Sequence, residues 1–186
     1  MTKRVMVLFV VLFGAMGPAR SLAQPATQAM DRHRAELSAL LAHGDAQATE
    51  LLATLVDYDA MARRILGERW ETVTEAQRTG YVRALRVSLL RTYGRRVSQA
   101  RDYRVRMGTE EPGEEPVVHV TARSIAAPRA EPWEIACRVH RVSGQWRVVD
   151  IVTNESSLVQ AQARRVRQAM EDGTLDELIA RMSRSE

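Results

Sequence analysis

The chain has 186 residues, with 27 basic and 23 acidic side chains and a net charge of +4. This length fits one domain built around a single core. The positive charge would suit a nucleic-acid partner, but residues 1–23 carry three basic and no acidic side chains. Without them the remaining chain has a net charge of +1, which argues against nucleic-acid binding.

The N-terminus has the pattern of a secretory signal peptide. Lys3 and Arg4 precede the apolar run 5–13, and small residues follow up to Ala23. The apolar run is about half of the ~20 residues that a membrane-spanning helix needs. No cysteine follows it, which argues against a lipid anchor. We therefore expect cleavage after Ala23 and a soluble periplasmic protein of residues 24–186.

Apolar residues recur every three or four positions in the first half of the chain, which predicts helices. Asp57 or Asp59 is placed to cap a short helix that ends at Gly67, and Thr74 and Gln77 have the spacing of a capping box. The longest of these helices has an apolar side and an arginine-rich side. We expect helices over residues 27–43, 46–56, 57–66 and 75–100.

After Asp102 the apolar period changes to two, which predicts strands. Ser143 and Gly144 fit a tight turn between the last two strands, and Thr174 opens a capping box for a short final helix. We expect strands over residues 103–107, 116–126, 132–142 and 145–153, then a helix over 156–171. This order predicts a single α+β domain, in which a four-stranded antiparallel sheet packs against several helices.

The last predicted strand has an unusual apolar density. It contains Trp146, Val148, Val149, Ile151 and Val152, which is typical of a strand buried on both faces. A helix can cover one face. The other face then needs more protein or an apolar ligand.

Motifs for catalysis and metal binding are missing from the sequence. It has no P-loop, no G-x-S-x-G, no H-E-x-x-H and no C-x-x-C. The four histidines are scattered; His119 and His140 lie on different strands and could face one another, although surface positions are favoured. Cys137 alternates with Ile135 and Val139, which indicates a packed thiol rather than a nucleophile.

Two aspartates leave alternatives open. Asp57 and Asp59 form a D-x-D pattern that could hold a metal–phosphate pair, but capping of the following helix is the favoured interpretation. Asp150 lies inside an apolar strand, where it could be a general base with a raised pKa, the partner of an arginine, or a solvent-facing edge residue. The structural interpretations rank above the catalytic one, because nothing in the sequence supplies a catalytic partner.

Several segments together resemble one known family. They are Asp57–Gly67 with Trp70, Thr74–Arg78, Leu89–Tyr93, Trp146–Ile151 and Ser157–Val159. In order and spacing they resemble MlaC-type proteins, the periplasmic phospholipid-binding components of the Mla, or toluene-tolerance, transport system. The resemblance extends over residues 50–182. The turn Asn154–Leu158 departs from the Glu-Gly-Val-Ser-Leu sequence that is usual there, and the family's aromatic residue is replaced within Gln160–Ala163.

The resemblance implies a non-catalytic carrier that holds phospholipid acyl chains in an apolar cavity between sheet and helices. Each methylene removed from water contributes about 0.8 kcal/mol, so the chains need shielding. The implied partners are an outer-membrane lipoprotein complex and an inner-membrane ABC transporter with its lipid-binding subunit. No metal or cofactor is expected beyond phospholipid as cargo. The side chains expected to line the cavity are Met61, Ile65, Tyr81, Leu85, Leu89, Tyr93, Val118, Val120, Ile135, Val149 and Ile151.

Two other functions stay open from the sequence. One is a small α+β enzyme that acts on an apolar substrate with Asp150 as base. The other is a periplasmic adaptor whose apolar residues all pack into a solid core. A different apolar cargo, such as a hopanoid, is compatible with the same pattern.

Overall fold

The structure is a computed structural model that describes residues 26–43, 50–51, 53–93 and 99–184. The predicted signal peptide and its cleavage after Ala23 lie outside the described residues, so both stay predictions. The helices are α1 (Ala26–His43), α2 (Tyr58–Leu66), α3 (Arg69–Thr72), α4 (Glu75–Tyr93), α5 (Leu158–Glu171) and α6 (Leu175–Ser183). Residues 50–51 and 53–55 are also helical.

Local capping explains where three of these helices begin. The Asp57 carboxylate accepts the Ala60 N–H at 2.8 Å, so Asp57 rather than Asp59 caps α2. Thr74 and Gln77 exchange side-chain and backbone hydrogen bonds before α4, which confirms the predicted capping box. Thr174 begins the same arrangement before α6.

Two helical boundaries differ from the prediction. The short helix α3 was not expected; it follows Gly67, whose φ of +58° ends α2. The predicted helix over residues 75–100 is α-helical to Tyr93, and residues 99–102 form a 3₁₀ turn instead. Residues 94–98 lie outside the described part of the chain.

The sheet is antiparallel, with strands in sequence order. They are β1 (Tyr103–Glu111), β2 (Val117–Ser124), β3 (Trp133–Val142), β4 (Gln145–Thr153) and β5 (Ser156–Ser157). The β3–β4 connection is the predicted tight turn, with Ser143 at φ +50° and Gly144 at φ +82°.

The prediction of four strands was wrong, because the chain forms a fifth before α5 begins. Asn154 and Glu155 both have positive φ values, 45° and 61°, so the backbone reverses within two residues. Ser156 and Ser157 then pair with the end of β4. The helix expected from residue 156 consequently starts at Leu158.

The helices lie against one face of the sheet. α2 contacts β4, α4 and α5, while α4 packs along α6 and α1 lies against β1. One continuous cluster of buried apolar side chains joins helices and strands. The sheet residues in this cluster define the inward face: Val118, Val120, Ala122, Ile135, Cys137, Val139, Val148 and Ile151. Residues that alternate with them, such as Arg104, Arg106, Arg123 and Arg138, are exposed on the outward face.

Candidate functional site

The apolar interior between helices and sheet is the largest candidate site. All eleven side chains predicted to contact an acyl chain are buried, and none is more than 5% exposed. Ten of them belong to the single cluster that joins the two layers. These ten are Met61, Ile65, Tyr81, Leu85, Leu89, Tyr93, Val118, Val120, Ile135 and Ile151. The structure thus brings together residues from α2, α4, β2, β3 and β4.

Strand register places the predicted sheet residues side by side. Val120 lies opposite Ile135, and Cys137 lies between Val118 and Ile151 on its two neighbouring strands. Opposed residues on one face of an antiparallel pair have Cβ atoms about 5 Å apart. The inward face therefore presents a continuous apolar wall to the helices.

Val149 is the one predicted lining residue outside that cluster. The pairing moves from Arg138 with Asp150 to Val139 with Val148, so Val149 has no opposite residue in β3 and forms a β-bulge. Its side chain is nevertheless fully buried. The bulge accounts for the consecutive buried positions of β4, which the sequence analysis attributed to burial of a regular strand on both faces.

The predicted apolar cavity is not present among the described residues. Large side chains occupy the space between the layers, and Tyr81, Met61, Leu85 and Leu89 are all at most 1% exposed. Interiors pack at the density of organic crystals, so such side chains leave no room for a second hydrocarbon chain. In the described part of the molecule, the protein's own side chains therefore fill the predicted site.

A groove lies at the surface between α5 and α6, away from this interior. It is open, and the residues that line it are Arg165, Gln168, Ala169, Asp172 and Arg181. None of the predicted site residues contributes to it.

The D-x-D pattern is structural. One Asp57 oxygen caps α2, and the other lies 2.8 Å from His140 Nε2 on β3. The Asp57 N–H also donates to the Val148 carbonyl at 2.9 Å, whereas Asp59 is exposed. Asp57 therefore attaches the start of α2 to the sheet, and the preferred capping interpretation is confirmed.

Asp150 is engaged on both carboxylate oxygens. It accepts the backbone N–H groups of Ile151 at 2.8 Å and Val159 at 3.0 Å, together with the Ser157 hydroxyl at 2.6 Å. Ser157 in turn caps α5 by accepting the Gln160 N–H at 3.0 Å. The carboxylate thus holds β4, β5 and the start of α5 together, which supports a structural role, through backbone N–H groups and a hydroxyl rather than through an arginine.

The histidines on the sheet do not face one another. His119 lies opposite Ala136 and His140 opposite Arg147. Each pairs with its own carboxylate instead: His119 Nε2 is 2.7 Å from Glu111, and His140 is bonded to Asp57. The described residues contain no group of three or more His, Cys, Asp or Glu side chains that could hold a metal ion.

Cys137 is a packed thiol, as predicted. It is completely buried within the apolar cluster on β3. Burial raises the pKa of the Cys137 thiol, and the negative charge of Asp150 raises it further. A thiol held protonated is a poor nucleophile, so this residue contributes packing rather than chemistry.

The sequence analysis placed Tyr81 in the predicted lining, but it did not predict that buried donors in the helix layer would lack hydrogen-bond partners. The hydroxyls of Tyr58 and Tyr81 and the indole N–H of Trp70 are buried without a hydrogen-bond partner among the described residues. Burial raises the pKa of Tyr58 to about 12, although Arg86 lies near its ring, and burial also raises the pKa of Tyr81. No periodic signal marks them, because phenolic side chains count as apolar in a helical stripe.

The fold and this interior define the class: a small α+β domain in which helices cover one face of an antiparallel sheet through a largely apolar interface. A family profile described as MlaC protein matches residues 20–184. The chain therefore belongs to the MlaC protein family. Among the residues that the structure describes, no helix combines the length and apolarity needed to cross a bilayer.

The same fold occurs in a solved structure. A phospholipid-binding protein from Ralstonia solanacearum, determined in complex with a phospholipid, matches with a TM-score of 0.64. The match covers 80% of this chain and 87% of that chain, at 19% sequence identity. At this low sequence identity, the structural similarity shows a shared fold only. A search of curated proteins finds no significant match.

Proposed function

We propose that this protein is a periplasmic phospholipid carrier that binds acyl chains between α4 and the inward face of the sheet. The observation that carries the proposal is membership of the MlaC family over nearly the whole chain. The Ralstonia solanacearum structure adds that the fold can hold a phospholipid. The apolar cluster supplies the matching chemistry in this chain.

Because side chains fill this interior, binding of acyl chains there requires α4 to move away from the sheet. Its inward side chains Tyr81, Leu85 and Leu89 meet the core through apolar contacts. By contrast, Gln77 donates to Asp176 of α6, and Arg78 donates to the carbonyl of Trp70 in α3. The helix can therefore keep these polar bonds to other helices while acyl chains replace the apolar contacts that its side chains make within the cluster.

The energetics favour such an exchange. Two acyl chains with about 14 methylenes each gain roughly 20 kcal/mol on leaving water, at about 0.8 kcal/mol per methylene. Separating the helix from the sheet exposes no apolar surface as long as the chains fill the gap. The acyl chains then cover the apolar side chains that had been covered by each other.

In this role the protein takes phospholipid from one membrane complex and delivers it to another. The proposed partners are an outer-membrane lipoprotein complex and an inner-membrane ABC transporter with its lipid-binding subunit. Transfer requires only that cargo moves to whichever partner binds it more tightly. The complete engagement of Asp150 leaves no observation in favour of the alternative of an enzyme with that residue as base.

The first test is the lipid content of the natively purified protein. Organic extracts analysed by mass spectrometry should contain phospholipid in near-stoichiometric amount, and delipidated protein should take phospholipid up again from vesicles. A protein that carries none and takes none up would refute the carrier function. A hopanoid in place of phospholipid would refute the proposed cargo.

The second test locates the site with two variants of α4. Leu85 is fully buried and Val87 is 37% exposed on the same helix. Leu85→Asn keeps the number of side-chain heavy atoms but places an amide against hydrocarbon, which costs about 1–3 kcal/mol. It should lower retained phospholipid about tenfold or more, whereas Val87→Asn should retain the parent amount. Both variants are compared at a temperature where circular dichroism shows them folded. Full retention by folded Leu85→Asn would place the acyl chains elsewhere.

A further inference from the structure

Tyr81 has a buried polar group that is without a bond in the described part of the protein. The residue is fully buried on α4, and its hydroxyl has no hydrogen-bond partner among the described residues. Most buried side-chain polar atoms are bonded, so each exception needs an explanation. Phenylalanine would fill the same volume without leaving a polar atom unsatisfied.

The hydroxyl lies in the layer that the proposed cargo would enter. Tyr81, Leu85 and Leu89 are spaced by four residues, so they share one side of α4, and all three belong to the cluster that reaches the sheet. Tyr58 on α2 is a second buried hydroxyl of the same cluster without a partner. Both tyrosines belong to the apolar cluster that the proposed cargo would enter.

The chemistry of this site restricts the group that could satisfy it. A phenol at neutral pH donates a hydrogen bond, so the partner must be an acceptor. A charged phosphate would lose its hydration in an apolar layer at a large energetic cost. An ester carbonyl is an uncharged acceptor, and it occurs at the start of each acyl chain in a diacyl phospholipid.

We propose that the Tyr81 hydroxyl donates a hydrogen bond to an ester carbonyl of the bound lipid and so selects ester-linked diacyl lipids over ether-linked or hydrocarbon cargo. This inference rests on the proposed carrier function and refines it. Exchange of the carbonyl's bond to water for one to Tyr81 also relieves the unsatisfied hydroxyl. One neutral hydrogen bond of this kind corresponds to a roughly fivefold to tenfold change in affinity.

The experiment compares two lipids and two proteins. The lipids are a diacyl phosphatidylethanolamine and its di-O-alkyl counterpart with the same chain length, competed against a fluorescent diacyl phospholipid on delipidated protein. The parent should bind the ester lipid roughly fivefold to tenfold more tightly than the ether lipid. Tyr81→Phe should bind both lipids equally, and at the affinity that the parent has for the ether lipid.

The control is Tyr103→Phe, which removes a hydroxyl from a half-buried tyrosine on β1 outside the predicted lining. It should keep the parent's preference for the ester lipid. Equal binding of both lipids by the parent would overturn the inference about Tyr81 while leaving the carrier function intact, and this result does not depend on any variant. A persistent ester preference in folded Tyr81→Phe would also overturn it. Failure of the parent to bind either lipid would instead refute the carrier function.

Discussion

Asp150 at the β4–α5 junction and Tyr81 on α4 are both polar groups inside an apolar protein, but their surroundings differ. Three donors bond the Asp150 carboxylate, and all come from within nine residues of it in the chain. The Tyr81 hydroxyl has no such partner in the described structure. A polar group whose bonds are made internally holds the fold together, whereas one left unbonded destabilises it until a ligand supplies the partner.

The two aspartates Asp57 and Asp150 differ in the same way from the buried tyrosines and Trp70 of the helix layer. Asp57 and Asp150 each use both carboxylate oxygens to attach a helix to the sheet. Their carboxylates therefore explain why α2 and α5 begin where they do. The side-chain donors of Tyr58, Tyr81 and Trp70 make no such hydrogen bonds in the described structure. They are therefore the better candidates for contacts with a ligand.

The largest effect should come from removing the carboxylate of Asp150. Asp150→Ala leaves two backbone N–H groups and the Ser157 hydroxyl without their acceptor in a buried junction. We expect the free energy of unfolding to fall by about 3–5 kcal/mol, measured by urea denaturation. Asp102→Ala, at an exposed position, should cost less than about 0.5 kcal/mol. If Asp150→Ala lowered the free energy of unfolding as little as Asp102→Ala, the structural role of the Asp150 carboxylate would be refuted.

The next largest effect should be a loss of folding stability at acid pH that depends on His33 on α1. Burial lowers the pKa of His33 from 6.5 to about 4, and the charges of Arg32 and Arg147 act in the same direction. Its Nδ1 is also buried without a partner. Because the folded state resists protonation, the contribution of His33 is fully present above pH 6.5 and is lost as the pH falls towards 4.

The loss should amount to about 1–2 kcal/mol after allowance for partial solvent exposure. Urea denaturation at a series of pH values gives the free energy of unfolding of the parent and of His33→Gln. The decrease between pH 6.5 and 4 that is due to His33 should be absent from the variant. Identical pH profiles for the parent and His33→Gln would mean that His33 is as free to protonate in the folded as in the unfolded protein.

The smallest effect should come from Cys137, which lies beside the Asp150 network. Its thiol packs in the cluster without a polar role, so Cys137→Ala should cost about 1 kcal/mol through a small cavity and leave phospholipid content unchanged. In the folded parent the raised pKa keeps the thiol unreactive. A thiol reagent should therefore label the protein only when urea unfolds it. Labelling at native conditions, or a folded Cys137→Ala variant without lipid, would assign the thiol a chemical role.

Much of the fold could be predicted because its signals are local. The capping box at Thr74, the turn at Ser143 and Gly144, and the change of apolar period after Asp102 each involve residues close together in the chain. The exceptions depended on particular backbone conformations. A two-residue reversal with positive φ at Glu155 is not an expected use of glutamate, so β5 was missed.

The burial of the proposed lining residues was predictable, whereas their contact with acyl chains stays a prediction. Ten of the eleven proposed lining residues share one cluster because apolar periodicity marks the buried side of each element. The same periodicity cannot distinguish a lined cavity from a solid core, since both require identical apolar faces. The displacement of Val149 from this cluster depended on a bulge, which is set by pairing between β3 and β4 rather than by either strand alone.

The sequence by itself determined the α+β order of elements, most helix starts, the buried side of each element and the resemblance to one family. These follow from hydrogen bonds and side-chain periods that extend over a few residues. Only the tertiary structure decided how α4 joins the apolar cluster, which groups bond to Asp57, and that the Tyr81 hydroxyl has no partner among the described residues. Those features depend on which distant groups meet, because whether a buried polar atom is satisfied, and whether an apolar interior is full, are properties of the volume enclosed by several elements at once.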